Sequence, residues 1–377
     1  MSPLGDASGS LQSTTQSDAG TEATERNTMA LQSMQLPAEL ILIVASMLPT
    51  SSAACLALSS RRISKILGPG HWRSLQSGAP SVLLQFLKSL ARDLPQYFVC
   101  QECPTLHHIQ SIKRPQVIER GFNPFCVWIG RGYHLLSQSQ YRVYFPHVQL
   151  AMRQYRSGID IGFPLAVFQN LEMKYNRTHQ KFTLLSIDAQ IIQNDLLLRS
   201  QTWVLIPWSQ RDGYLDQLVD GLHQDICIHT SSGLLGKHLT TNLVKSRLAQ
   251  LEAHEEIHPQ TLQCPECWME HELDIADFGK RGFAILITKW VNLGSGLDFK
   301  DPKWQSHVMP RANSNAGHPR QTGDIKKNFE AQTETPMKDL TADHKLKLSS
   351  GRHDRLAYPD SDGIPCKREE TSDGKAN

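Results

Sequence analysis

Neither sign of charge prevails in this sequence. Lys and Arg number 39 against 37 Asp and Glu, a net of +2 with the histidines neutral. A general nucleic-acid binder would show a concentrated basic excess, so no nucleic-acid partner is expected. Lys113-Arg114 and Lys326-Lys327 are too short for such a patch and read as solvated surface. No apolar run is long enough to cross a bilayer, so no membrane helix is expected. The first thirty residues lack a basic start followed by an apolar stretch, and they carry Asp6, Asp18, Glu22 and Glu25. That argues against a secretory or organellar address and favours the cytoplasm, the nucleus or both. Also missing are Gly-x-x-x-x-Gly-Lys, Gly-x-Ser-x-Gly and Gly-x-Gly-x-x-Gly, and Gly294-Ser295-Gly296 reads as a turn after a strand. No repeat of solenoid or propeller length is visible. No catalytic site of its own is expected.

What is present is unevenly spread. The chain of 377 residues has room for about two domains. Residues 1–33 are rich in Ser and Thr, and residues 309–377 are poor in large apolar side chains and dense in charge. Both segments are expected to be disordered, because neither buries enough apolar area to offset its ordering entropy.

The first structured stretch is residues 34–76. Pro37 suits the first turn of a helix over 38–48, stopped by Pro49. Thr50 or Ser51 caps a second helix through Leu58. A third, over 61–67, ends at Gly68-Pro69-Gly70. Leu40, Ile41, Leu42, Ile43 and Val44 are consecutive, and at 100° per residue they cover most of the helix circumference. Two neighbouring helices can cover one face only, so the rest asks for a partner. Three short helices also make a marginal core by themselves.

Leu36-Pro37-Ala38-Glu39-Leu40-Ile41-Leu42-Ile43, then Leu48, Leu56, Leu58, Ser60-Arg61-Arg62 and Trp72 resemble an F-box. The resemblance covers about forty residues and departs at Gly68-Pro69-Gly70-His71. It implies that Leu36, Pro37, Leu40, Ile41, Ile43, Leu48, Leu56 and Leu58 dock on a Skp adaptor, and through it on a cullin–RING ubiquitin ligase.

Beyond a break at 77–80, Ser81 opens a helix with Val82, Leu83, Phe86, Leu87 and Leu90 at helical spacing. Strands are expected at 125–129 and 141–145, then a helix over 146–156. A long hairpin is expected from 182–192 and 196–208 around Gln193-Asn194-Asp195. A short strand at 226–229, a helix through Leu239, Leu243, Val244, Leu248 and Leu251, and a last strand at 282–293 complete residues 77–308. Without regular βαβ alternation the class is α+β: an N-terminal three-helix F-box, then a mixed, mainly antiparallel α+β recognition domain stapled by zinc, with disordered termini.

Eight cysteines do not make a disulfide scaffold in a chain of this size and compartment. Four fall in two pairs. Cys100-Gln-Glu-Cys103 is followed by His107-His108, and Cys264-Pro-Glu-Cys267 by His271, so both read Cys-x-x-Cys-x-x-x-His. That spacing points to a metal, and zinc takes four such ligands. Cys227-Ile-His229 is a third element, whose side chains would share one side of a strand. Two arrangements are open. Cys100, Cys103, Cys264 and Cys267 form one site that pins the domain's ends together, or these four with His107, Cys227 and His229 fill two sites or one mixed site. Cys55 and Cys126 read as core, and Cys366 lies in the tail.

His254-Glu255-Glu256-Ile257-His258 spells His-Glu-x-x-His, which on a helix would propose a zinc hydrolase. Pro259 ends such a helix at once, and the downstream Gly and His of the longer pattern are missing.

Residues 86–95 with Cys100, Cys103 and His107, and Cys264-Pro-Glu-Cys267 with Thr288-Lys289-Trp290 and Lys303-Trp304, also resemble fungal F-box-domain proteins. The resemblance implies a non-catalytic adaptor. In that reading the F-box binds a Skp adaptor, and residues 77–308 face an unknown protein substrate of an SCF-type (Skp–cullin–F-box) ligase. The alternative is a Skp-bound scaffold acting outside a ligase.

Overall fold

The computed structural model describes residues 36–115, 126, 133–134, 141–176, 181–211, 226–231, 234–255, 260–308 and 321–350. Two compact units divide the chain, residues 1–90 and 91–377.

In the first unit the described helices are α1 (Ala38–Met47), α2 (Thr50–Ser59), α3 (Arg61–Leu67), α4 (Gly70–Ser77) and α5 (Pro80–Asp93), the last running past Leu90. Pro37 and Pro49 sit at N-cap positions, where a missing N–H costs nothing. Ser60 caps α3 by accepting from Arg62 N at 3.2 Å. Gly68, at φ 64°, ends α3. The three helices expected from the sequence are thus present, and the Gly-Pro-Gly stop is followed by a fourth. Gly68 breaks the helix and Pro69 caps the next. Trp72 meets Phe86 edge-on at 5.8 Å.

Small residues fill this unit's core: Ala45, Ala53, Ala54 and Ala57, with Ile41 and Leu75. Of the eight positions expected on the partner surface, Leu36, Pro37, Leu40, Ile43, Leu48 and Leu58 are exposed and Leu56 is half-buried. Ile41 is a correction, since at 5% exposure it belongs to the core. One residue in a continuous apolar run must face inward, and Ile41 does so with Ala45 four positions on.

The second unit is built on a six-stranded antiparallel sheet. Its strands are β5 (Asn170–Asn176), β6 (Lys181–Ile192), β7 (Asp195–Ile206), β8 (Leu262–Gln263), β9 (Met269–Asp277) and β10 (Phe283–Asn292), in the order β5-β6-β7-β10-β9-β8. Two short antiparallel pairs precede it, β1 (Tyr97–Cys100) with β2 (Thr105–His108) and β3 (Tyr133–His134) with β4 (Arg142–Val143). The β6–β7 hairpin turns on two residues, Gln193 and Asn194, both at positive φ. That conformation matches the twist of the flanking strands, and Asn tolerates it well. Before β10, Gly282 adopts φ 120°, and a Cβ there would lie 1.8 Å from Ile206 O. Only glycine admits this approach.

One face of the sheet carries Leu198, Val204, Ile285, Ile287 and Val291. These pack with Val148 and Met152 of α6 (Phe145–Ser157), Val244 and Leu248 of α8 (Leu234–Glu252), and Trp304 of α9 (Pro302–Val308). Between α6 and α8 comes the one-turn helix α7 (Ile228–Ser231). The other face is covered by α10 (Asp324–Glu330) and α11 (Met337–Ser349). Burial on both faces explains why β10 reads as a nearly continuous apolar run and why β7 carries apolar residues on both faces at its two ends.

These last helices correct the expectation of a disordered segment over 309–377, since residues 321–350 are folded. Ile325 and Phe329 join Leu197 and Trp290, and Leu348 joins Trp203 and Leu286. Glu330 receives Trp290 Nε1 at 2.8 Å and pairs with the buried Arg199 at 3.0 Å. Residues 1–35 and 351–377 lie outside the described residues.

Three strand expectations also change. At 141–145 only Arg142 and Val143 pair, because α6 starts at Phe145. At 226–229 the chain forms no strand and leads into α7 at Ile228; four residues are too few for periodicity to separate the two. The strand expected at 125–129 lies outside the described residues except for Cys126, which is helical.

Candidate metal centres

The cysteines gather in two separate clusters. Cys100, Cys103, His107 and Cys126 form one, and Cys227, His229, Cys264 and Cys267 the other; within each, the ligand atoms lie within 4.8 Å of one another. The single four-cysteine site joining both pairs is therefore overturned, since each pair anchors its own cluster. All seven expected residues are used. The residue missed was Cys126, which read as core because a lone Cys in an apolar run has no spacing partner.

The first cluster hangs on the β1–β2 hairpin. Cys100 ends β1, Cys103 lies in the turn, and His107 is on β2. Cys126 Sγ stands 3.7 Å from Cys100 Sγ and 3.3 Å from His107 Nε2, and Cys103 Sγ is 3.0 Å from the same nitrogen. Thr105 Oγ1 reaches both Cys103 Sγ, at 3.0 Å, and His107 Nε2, at 3.2 Å. The turn is tied down by Gln101, which donates to Leu297 O and accepts from Phe299 N. Behind the hairpin, Arg153 donates to Tyr97 O and Ala91 O. His147 accepts from Tyr144 N at 2.9 Å through Nδ1 and donates to Lys113 O at 2.8 Å through Nε2. Burial lowers the His147 pKa to about 4, so it is a neutral structural group.

The second cluster joins α7 to the β8–β9 turn at the sheet's edge. Cys227 Sγ is 3.7 Å and His229 Nδ1 is 3.8 Å from Cys264 Sγ, and Glu266 N donates to that sulfur at 3.4 Å. All four residues are buried.

Tetrahedral zinc binds sulfur at about 2.3 Å, which sets neighbouring sulfurs about 3.8 Å apart. The two Sγ–Sγ distances of 3.7 Å fit that edge and are far too long for a disulfide. The electrostatics agree. Burial, then the thiols of Cys103 and Cys100, push Cys126 up to about 12. Burial raises Cys100. Hydrogen bonds with Cys227 and Cys264, then burial, raise Cys267. Burial lowers His107, keeping its imidazole neutral. At His229 burial opposes charge, but hydrogen bonds to Cys227 and Cys264 outweigh it and carry its pKa to about 10. Packed thiols resist ionising together, and a bound cation inverts that balance by stabilising thiolates. Three sulfurs and one imidazole suit a borderline-soft divalent ion.

The His-Glu-x-x-His pattern does not assemble. Helix α8 ends at Glu252, His254 adopts φ 53°, and His254 and Glu255 are exposed. A left-handed residue at His254 breaks the one-turn stacking that the pattern needs. His258 lies outside the described residues.

No helix among the described residues is long and apolar enough to cross a membrane. No family model, curated protein or solved structure matches the chain.

Proposed function

We propose that this chain is the substrate-recognition subunit of an SCF-type ubiquitin ligase, its first unit docking on a Skp adaptor as an F-box does. The observation that carries the reading is the uncovered apolar surface of α1 and its surroundings. Leu40, Leu42, Ile43, Val44 and Met47 are between 44% and 80% exposed, and Leu36 and Leu58 add to them. Clustered apolar side chains of this kind mark interaction sites, and the F-box resemblance supplies an occupant. The second unit, with structural zinc on both Cys/His clusters, presents the surface for a protein substrate. The chain's own residues orient two proteins, and the chemistry of ubiquitin transfer belongs to other subunits.

The test is co-purification of a Skp adaptor with the full chain, comparing wild type with Leu40→Asp and Ile43→Asp. Both positions are exposed, so the fold is retained, whereas Ile41→Asp would unfold the small core. Each Asp should abolish capture, because a carboxylate buried unpaired in an apolar interface is strongly unfavourable. Undiminished capture by both variants sinks the reading. In cells, the double variant should still hold its substrate but shield it from turnover. A captured partner whose turnover is the same with either form indicates a scaffold outside a ligase.

A further inference from the structure

The two Cys-x-x-Cys turns are equivalent in strand register as well as in spelling. In the first hairpin, Cys100 pairs with Thr105, and His107 stands opposite Phe98, two residues before Cys100. In the second, Cys264 N donates to Met269 O at 3.2 Å, and His271 stands opposite Leu262, two residues before Cys264. Alternate residues of a strand share a face, so His107 lies on the face of Cys100 and His271 on that of Cys264. His107 uses this position to join its cluster. His271 is outside the four residues of the second cluster, where His229 supplies the imidazole.

Nevertheless His271 is buried, at 8% exposure, and its Nδ1 has no hydrogen-bond partner among the described residues. It also lies within electrostatic reach of Cys227. A buried ring nitrogen without a partner is costly to keep, and such groups call for a specific explanation. The equivalent histidine of the first hairpin supplies one.

We propose that His271 is a fifth donor of the second centre, an imidazole that takes the ion's fourth position when His229 leaves it. This rests on reading the clusters as metal centres. The ion would then stay on Cys227, Cys264, Cys267 and His271. One neutral imidazole replaces another, so neither protons nor electrons are exchanged and the centre keeps its net charge. The exchange lets the one-turn helix α7 loosen without loss of the metal.

The experiment loads the full-length protein with cobalt(II) as a spectroscopic stand-in for zinc and measures metal content, the d–d absorption and the nitrogen ligands by X-ray absorption. Wild type should hold two equivalents. His271→Ala should also hold two, since His229 remains. His229→Ala should keep two equivalents, the tetrahedral absorption and one nitrogen donor at each centre. His229→Ala combined with His271→Ala should fall to one equivalent, the filled first centre showing that the fold survives. A drop to one equivalent in His229→Ala alone overturns the proposal, and so does a double variant that keeps two with unchanged absorption. Wild type without metal fails differently, because it removes the metal reading itself.

Discussion

The two Cys/His clusters share a motif but not a setting. The first has one buried ligand and three half-exposed ones, and it hangs on a separate two-stranded sheet. The second has four buried ligands and clips α7 to the edge of the six-stranded sheet; Cys227, Cys264 and Cys267 belong to the main core, which from the first cluster takes in Cys100 alone. Spelling therefore predicts which cysteines cluster, while the surroundings decide how much of the fold would depend on a metal there. A centre walled into the core shares its binding energy with global folding. One at the periphery mainly organises its own hairpin.

The largest expected difference follows from that. Structural zinc is worth about 10 kcal/mol or more, comparable with the whole stability of a domain, about 5–15 kcal/mol. Cys264→Ser should sharply lower the stability of the second unit and open the β7–β10 core to exchange. Cys103→Ser should empty only the first centre and leave the β7–β10 core protected. Hydrogen exchange with elemental analysis checks both, and equal global unfolding by the two variants would erase the distinction.

Acid should act on the fold through two buried histidines. His147 is neutral in the fold, with a pKa near 4 against an ordinary 6.5. The unfolded chain takes the proton first, so the stabilisation is fully present above pH 6.5 and is lost as pH falls towards 4. The loss amounts to about 3 kcal/mol. His344, buried against Gln201 Oε1 at 2.7 Å on the other face of the sheet, carries a similar shift from burial. Denaturant titrations at pH 7 and 5 should show a flatter pH dependence for either His→Gln variant. An unchanged pH dependence in both variants would show that neither histidine is kept neutral by burial.

A smaller effect belongs to Thr105, whose hydroxyl touches two ligand atoms of the first centre. Partners of this kind tune affinity by roughly 10–100-fold. Thr105→Val should weaken cobalt binding there within that range and leave the second centre unchanged, as a competition titration with a chromophoric chelator would reveal.

The smallest is Gln101→Ala. It removes two hydrogen bonds between the first turn and residues 297–299, worth about 1–3 kcal/mol together. Thermal melts should shift slightly, with both ions retained. Loss of the first ion would mean that the loop, rather than the hairpin, holds this centre.

Much of this was legible in residue order. The α1–α3 boundaries follow from Pro37, Pro49, Ser60 and Gly68, each acting on its immediate neighbours. The β6–β7 hairpin follows from two long apolar runs around Gln193-Asn194. The ligand types follow from Cys-x-x-Cys-x-x-x-His. Less legible were α10 and α11, because average composition hides spacing. Ile325 and Phe329 are one turn apart, as are His344 and Leu348, and such pairs suffice once a half-covered sheet awaits them.

The sequence alone marked the two Cys-x-x-Cys pairs and the turns that present them, because those are contacts between near neighbours fixed by backbone geometry. Tertiary structure alone decided that the two turns belong to separate clusters, that Cys126 rather than a second cysteine pair completes the first, and that His229 rather than His271 joins the second. The reason is physical. Cys100 lies nearer in sequence to Cys126 than to Cys264, but Cys227 and Cys264 meet only because α7 and the β8–β9 turn pack on one core. Such meetings depend on how whole elements bury their apolar faces, and no local pattern encodes that.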